Sequence, residues 1–289
     1  MIPITGHTQL TALLGSPVAH SISPLMHNES FRLLGLDYVY LCFDVDEQGL
    51  LAAVEGLRTC QARGFNLTMP NKNKVTELLD DLSPAARLIG AVNTVVNQNG
   101  RLIGWNTDGV GYMQAARDAG CDLTQKTITI MGAGGAATAI CAQAALDEVE
   151  AIHIFARKTS RFWDRTERLV QTINDTLPCR AFLHDNEDQK ALREAISLSA
   201  LLINGTSVGM APAVDETIIQ DPGLYRPELV VSDVIYNPRE TRFLRDARLA
   251  GCRTFNGMYM LLFQGAEAFR LWTGRDMPVD EIRKKFFSK

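Results

Sequence analysis

The chain has 289 residues, of which 46% are hydrophobic and 21% charged, with a formal net charge of −4. That length suggests about two domains with enough apolar material for full cores, and the charge offers no electrostatic argument for nucleic acid. The six cysteines, Cys42, Cys60, Cys121, Cys141, Cys179 and Cys252, lie far apart with no CxxC, which argues against a disulfide framework and for a reducing cytoplasm.

No basic residue precedes Arg32, and no apolar run approaches the roughly 20 residues that span a bilayer. A cytoplasmic protein without a membrane anchor is expected. In chain order, QLTALLG (9–15) reads as a strand and SPLMHNESFRLLG (23–35) as a helix with proline in its first turn. YVYLCFDV (38–45) is β-rich, and EQGLLAAVEGLRTCQARG (47–64) has helical spacing ending at glycine. GFNLTM (64–69) is a short strand, and 92–109 reads as two strands joined by a turn at Gln98, Asn99 and Gly100. This alternation argues for an α/β layer with mainly parallel strands.

A second unit begins near Asp108. A connecting helix (109–120) leads to strand TITIM (127–131), a helix (135–147), strand AIHIF (151–155) and a long amphipathic helix (161–176), then strand-like runs LLIN (201–204) and LVVSDV (229–234). That rhythm predicts a doubly wound, Rossmann-type domain. After TFNG (254–257) the pattern is helical, so a C-terminal helix pair is expected to return to the first domain. The predicted boundaries are 1–108 with 257–289, and 109–256.

The stretch TITIMGAGGAATAICAQAAL (127–146) carries a dinucleotide signal: Gly132, Gly134 and Ala137 match G-x-G-x-x-A between a strand and a small-residue helix. Gly132 permits the tight turn, Gly134 admits a pyrophosphate to the backbone, and Ala137 allows close packing. The loop residues Gly132, Ala133, Gly134, Gly135 and Ala136 precede a helix N-terminus suited to phosphate. Where NAD sites usually place a carboxylate about 20 residues on, this chain reads ARKTSR (156–161). Arg157, Lys158 and Arg161 favour the extra phosphate of NADP over NAD.

A site that moves hydride must also move a proton, which requires a positioned acid/base group. Lys72 in NLTMPNK (66–72) is a candidate because a strand and Pro70 fix its origin. Asp108 in GWNTDG (104–109) falls at another strand end near the domain junction, where a carboxylate can orient the lysine.

Together these stretches resemble the shikimate dehydrogenase family, closest in appearance to its quinate/shikimate branch. The resemblance spans nearly the whole chain. It rests on SPVAHSISPLMHN (16–28), NLTMPNK, GAVNT (90–94), GWNTDGVG (104–111), GAGGA (132–136), NGTSVGM (204–210), YNP (236–238) and GMYMLLFQGA (257–266). It implies reversible oxidation of shikimate to 3-dehydroshikimate in aromatic amino acid biosynthesis. Carried onto matching positions, it implies that Ser21 and Ser23 bind the substrate carboxylate and Thr68 the same end. Lys72 would be the acid/base group and Asp108 its partner. Asn93 and Gln264 would bind ring hydroxyls, Tyr236 would lie near substrate and cofactor, and Thr206 and Gly257 near the cofactor.

Plainer readings stand beside these. Ser21 and Ser23 can cap the helix at Pro24, Asn93 and Thr94 can satisfy backbone groups at a strand end, and Gln264 can be an ordinary polar residue. Tyr236 lies in a common turn context. His20, His27 and Glu29 match no usual metal-ligand spacing, and no metal is expected. The family's NADP members often have Asn-Arg-Thr where Ala156-Arg157-Lys158 stands. A quinate/shikimate dehydrogenase using NAD or both cofactors therefore remains an alternative. A noncatalytic quinate- or shikimate-binding regulator is a third reading, disfavoured by Lys72 and Asp108. The expected partners are small acids, with no nucleic acid or membrane; a homodimer is left open.

Overall fold

A computed structural model describes residues 3–287. The chain divides into two units, Met1–Thr107 with Leu262–Lys289, and Asp108–Leu261. The first unit runs β1 (Gln9–Gly15), α1 (Ser23–Leu34), β2 (Tyr38–Asp44), α2 (Leu50–Thr59), β3 (Gly64–Leu67), β4 (Asp81–Leu82), α3 (Pro84–Ile89), β5 (Thr94–Gln98) and β6 (Arg101–Trp105). Its sheet has the order β2-β1-β3-β5-β6-β4.

That sheet is mixed. β1 runs parallel to β2 and β3, whereas β5 is antiparallel to both β3 and β6. The reversal follows from the turn: Asn99 (φ 55°) and Gly100 (φ 92°) are both left-handed, as a tight two-residue hairpin requires. Leu14, Val54, Phe65, Leu67, Val95 and Leu102 fill the core on one face. α1 starts with Pro24 in its first turn and stops at Gly35 (φ 64°), where a left-handed residue suits glycine. Asn28 of α1 closes part of the free edge of β2. Its Nδ2 donates to the Tyr40 carbonyl at 2.9 Å and its Oδ1 accepts from the Tyr40 N–H at 2.8 Å, covering groups that an edge strand otherwise offers to another chain.

The second unit runs α4 (Asp108–Asp118), β7 (Thr127–Met131), α5 (Gly135–Leu146), β8 (Ala151–Ala156), α6 (Trp163–Thr176), β9 (Arg180–Asp185), α7 (Gln189–Leu198), β10 (Leu201–Asn204), β11 (Val230–Asp233), α8 (Arg242–Leu249) and β12 (Arg253–Phe255). Its sheet, β12-β11-β10-β7-β8-β9, is parallel throughout. This is the doubly wound order, with its switch point between β7 and β10, where ligands bind at the carboxyl ends of strands. β9 and α7 occupy an interval that the sequence reading leaves unassigned.

α9 (Met258–Thr273) begins in the second unit and continues into the first. The buried Trp272 docks its C-terminal half: Nε1 donates to the Val95 carbonyl at 2.9 Å, and Arg63 Nε donates to the Trp272 carbonyl at 2.7 Å. Gly64 is required beneath it, because a Cβ there would run into the indole and the Val95 carbonyl. The expected return of C-terminal helix to the first domain is thus observed. All six cysteines are free, and no helix among the described residues is long and apolar enough to cross a membrane.

Candidate active site

In the first unit, most of the polar residues singled out from the sequence gather where β1 and β3 end and β5 begins. The turn carrying Lys72 is pinned from several sides. Asn71 N–H donates to the Thr68 carbonyl at 3.0 Å, Ser16 N–H to the Met69 carbonyl at 3.0 Å, and Asn71 Nδ2 to the Val45 carbonyl at 2.8 Å. The Lys72 carbonyl accepts from Val92 N–H at 2.8 Å, which ties the lysine to the residue before Asn93. Lys72 itself is half-buried. Gly15 lies against Thr68 so closely that a Cβ would overlap the threonine methyl.

A buried relay crosses this edge. Tyr40 Oη donates to Asn66 Oδ1 at 2.8 Å, and Asn66 Nδ2 donates to Thr94 Oγ1 at 2.9 Å. Thr94 Oγ1 donates to Asn93 Oδ1 at 3.0 Å, which also accepts from Thr107 N–H at 2.8 Å. Asn93 therefore does serve a backbone group, as its plainer reading supposes, while remaining part of the polar cluster. At the other end, burial pushes the pKa of the Tyr40 phenol well up. The Cys42 thiol is likewise raised by burial, and Ser21 Oγ accepts from Ser23 N–H at 3.2 Å. Neither serine is the N-cap of α1: that position is Ile22, without a side-chain cap.

Gln264 stands on α9 beside Gly265, where a Cβ would collide with Met26 of α1. The close approach of the two helices sets its place. His27, on α1, is fully buried with its ring 4.6 Å from Tyr40 and 5.2 Å from Trp272. Burial lowers its pKa to about 3. Glu29 instead meets Arg32 and Lys285, each at 2.8 Å.

The second unit gathers the rest at the carboxyl edge of its own sheet. Asp108 opens α4, directly after Thr107 of the relay. Gly132 follows β7 with φ 108°, and a Cβ there would sit 2.7 Å from Thr206 Cγ2. Thr206 follows β10, donating to Asn204 Oδ1 at 2.7 Å and accepting from Val208 N–H at 3.1 Å. Gly134 is the N-cap of α5 with no side-chain cap, and a Cβ at Gly135 would meet nothing within 4 Å. Open space around uncapped first-turn N–H groups fits a dinucleotide phosphate. Arg157 and Lys158 are exposed after β8, and the Arg161 guanidinium lies 4.7 Å from the Phe162 ring centroid.

Asp233, at the end of β11, braces this edge. It accepts from Ile235 N–H at 2.9 Å, Thr241 Oγ1 at 2.7 Å and Asn204 Nδ2 at 3.1 Å. Burial raises its pKa to about 6. Gly257 N–H donates to the Ile235 carbonyl at 3.1 Å, and a Cβ at Gly257 would strike the Val234 carbonyl. Tyr236 is one residue further along, and 47% exposed. Tyr40, Asn66, Thr107 and Asp233 are absent from the sequence-based candidates. Asn66 and Thr107 lay inside quoted motifs, whereas Tyr40 and Asp233 gave no local signal.

Residues 13–95 match the family model described as the shikimate dehydrogenase substrate binding domain, and residues 257–285 match the shikimate 5'-dehydrogenase C-terminal domain. A curated relative from Listeria monocytogenes, named shikimate dehydrogenase (NADP(+)), is 52% identical over 98% of this chain and 97% of its own. The chain belongs to the shikimate dehydrogenase family. Among solved structures of that family, the shikimate 5-dehydrogenase from Listeria monocytogenes in complex with shikimate and NAD matches with a TM-score of 0.95 and 52% identity, over 97% of each chain. The quinate dehydrogenase from Corynebacterium glutamicum in complex with NAD matches at TM-score 0.84 and 29% identity, covering 98% of this chain and 99% of that one. The two-unit α/β architecture with a Rossmann-type second sheet is thus the architecture of this family.

Proposed function

We propose that this chain is an NADP-dependent shikimate dehydrogenase, oxidising shikimate reversibly to 3-dehydroshikimate. The observation that carries the reading is the cluster at one edge of the first sheet. Hydroxyls from Ser21, Ser23 and Thr68, the amide of Asn93 and the ammonium of Lys72 belong to segments tied together by hydrogen bonds. A polyhydroxy acid asks for such a set, because each buried polar group left unpaired costs about 1–3 kcal/mol.

In this reading the first unit binds substrate and the second binds cofactor. Ser21 and Ser23 hold the carboxylate, with Thr68 at the same end. Asn93 and Gln264 take ring hydroxyls. Lys72 accepts the hydroxyl proton as the C–H electron pair leaves the same carbon, and returns it in reduction; Asp108 orients the lysine. NADP would supply the hydride acceptor, and the 132–136 loop, Thr206 and Gly257 would hold it, with Arg157, Lys158 and Arg161 toward its extra phosphate and Tyr236 near substrate and cofactor. The free cysteines support a reducing, cytoplasmic setting.

The NAD complex of a 52% identical relative favours one second reading, in which NAD serves as well. Quinate would be its additional substrate. Incubating the purified protein with shikimate or quinate and either cofactor, while following reduced nicotinamide absorbance, tests both. NADP reduction with shikimate is expected to be the fastest. Absence of turnover with every pair would refute the enzyme reading and leave a binding regulator.

A further inference from the structure

Arg165 differs from the other arginines with side-chain partners on this unit. Arg117, Arg193 and Arg248 each meet a carboxylate at 2.7–2.8 Å on the surface. Arg165, in the first turn of α6, is half-buried, and burial lowers its pKa with no carboxylate among the described residues opposing it. Its Nη2 instead donates to Thr138 Oγ1 at 3.1 Å. The single Thr138 hydroxyl hydrogen points back to the glycine loop, at the Gly134 carbonyl (3.0 Å) or the Gly135 carbonyl (3.1 Å). A lone pair is thereby left for the guanidinium. Thr138 fixes the guanidinium one helical turn from the N-cap of α5.

A guanidinium has five N–H donors in a fixed fork, and this one spends one of them on Thr138. Taking a cation partly out of water without an anion is unfavourable. Such a group is well used beside a site that receives one. The uncapped first turn of α5 is the place where a dinucleotide presents its diphosphate. We propose that Arg165 is a further cofactor-binding residue, pairing with the diphosphate bridge common to NADP and NAD.

This rests on the dinucleotide reading above but makes a separate demand. Arg157 and Arg161 follow β8 and are assigned to the extra phosphate, so they should alter the preference between the two cofactors. Arg165 is anchored to α5, so its loss should weaken both cofactors alike. The alternative is a clip between α6 and α5 that only stabilises the fold.

The test is a calorimetric titration of the full chain with NADP+ and with NAD+, without substrate, alongside thermal unfolding. Arg165→Met keeps the apolar stem and removes the charge. Both dissociation constants should rise by a common factor of about tenfold, the loss expected for a charge-assisted hydrogen bond. Arg165→Lys should recover part of this as a point charge. Thr138→Val, which leaves the charge but removes its anchor, should weaken both cofactors to a smaller degree and serves if the Met variant fails to fold. Unchanged dissociation constants in the variants, a loss confined to NADP+, or equal losses in Met and Lys variants that track a lowered melting temperature would each overturn the proposal. If the unmodified chain binds neither dinucleotide, the cofactor reading itself fails, which the unmodified titration distinguishes from failure at Arg165 alone.

Discussion

Asn66 sets the direction of the Tyr40 proton. The Asn66 amide nitrogen donates to the Asn93 carbonyl at 3.1 Å and to Thr94 Oγ1 at 2.9 Å, so its Oδ1 faces Tyr40 at 2.8 Å. An amide oxygen only accepts, and Tyr40 must therefore donate there. The phenol oxygen keeps only lone pairs to offer any further partner.

Tyr40→Phe should accordingly lower stability. Asn66 Oδ1 loses its partner in a residue only 6% exposed, which costs about 1–3 kcal/mol. Urea unfolding measures that loss. The affinity for NADP should not change, because the glycine loop belongs to the other unit. An unchanged unfolding midpoint would show that the relay is not part of the fold's stability.

Replacing Ser21 and Ser23 together by alanine should weaken shikimate binding. Two hydrogen bonds to a charged group are lost, at roughly 1.5–3 kcal/mol each without strict additivity. Ser21 also accepts the Ser23 N–H, so a modest stability loss is expected alongside. A double variant with lower stability but wild-type shikimate affinity would reduce the serines to local support of α1.

Legibility along the sequence tracked how local the physical requirement was. The glycine loop could be read because Gly132 needs φ 108° and close approach to Thr206, and both demands exclude other residues within a few positions. The hairpin turn at Asn99–Gly100 could be read for the same reason, and β5 is the one antiparallel strand in a sheet that is otherwise parallel, as expected. β9 was not legible: its run RAFLHD sets Arg180, His184 and Asp185 on an edge strand, where polar side chains mask the alternation. Tyr40 looked like one more strand aromatic, because its partner Asn66 is 26 positions away. Arg165 looked like one charge on an amphipathic helix. Only the packing of α6 beside α5 reveals that no carboxylate among the described residues meets it.

Lys72→Ala should lower turnover by at least about 100-fold, the lower range for loss of an acid/base group. The loop that carries it is held by backbone bonds to Val92 and by Asn71 to Val45, none of which needs the lysine side chain. Titration with NADP should give the wild-type affinity, because the glycine loop belongs to the other unit. Near-wild-type turnover would remove Lys72 from the chemistry.

His27 offers a prediction about acid. Its ring is enclosed by Phe31, Tyr40, Phe269 and Trp272, and neither ring nitrogen has a hydrogen-bond partner among the described residues. Burial holds its folded pKa at about 3, against an ordinary value of 6.5. Above pH 6.5 the ring is neutral in both folded and unfolded chains, so it adds no pH dependence. As pH falls below 6.5, the unfolded chain binds a proton that the folded chain refuses, and stability drops by up to about 1.4 kcal/mol per pH unit until about pH 3. His153 and His184, also lowered by burial, act in the same direction. Asp233, raised to about 6 from 3.8, takes up a proton on folding within that range and opposes them. The histidine contribution is isolated by difference: His27→Phe keeps an aromatic ring in the box and removes the titration. Urea midpoints measured from pH 7 to pH 4.5 should fall less steeply in the variant, with the two stability curves separating by close to one proton per molecule. Parallel curves would mean that His27 is protonated in the folded protein, and that the aromatic enclosure does not exclude its charge.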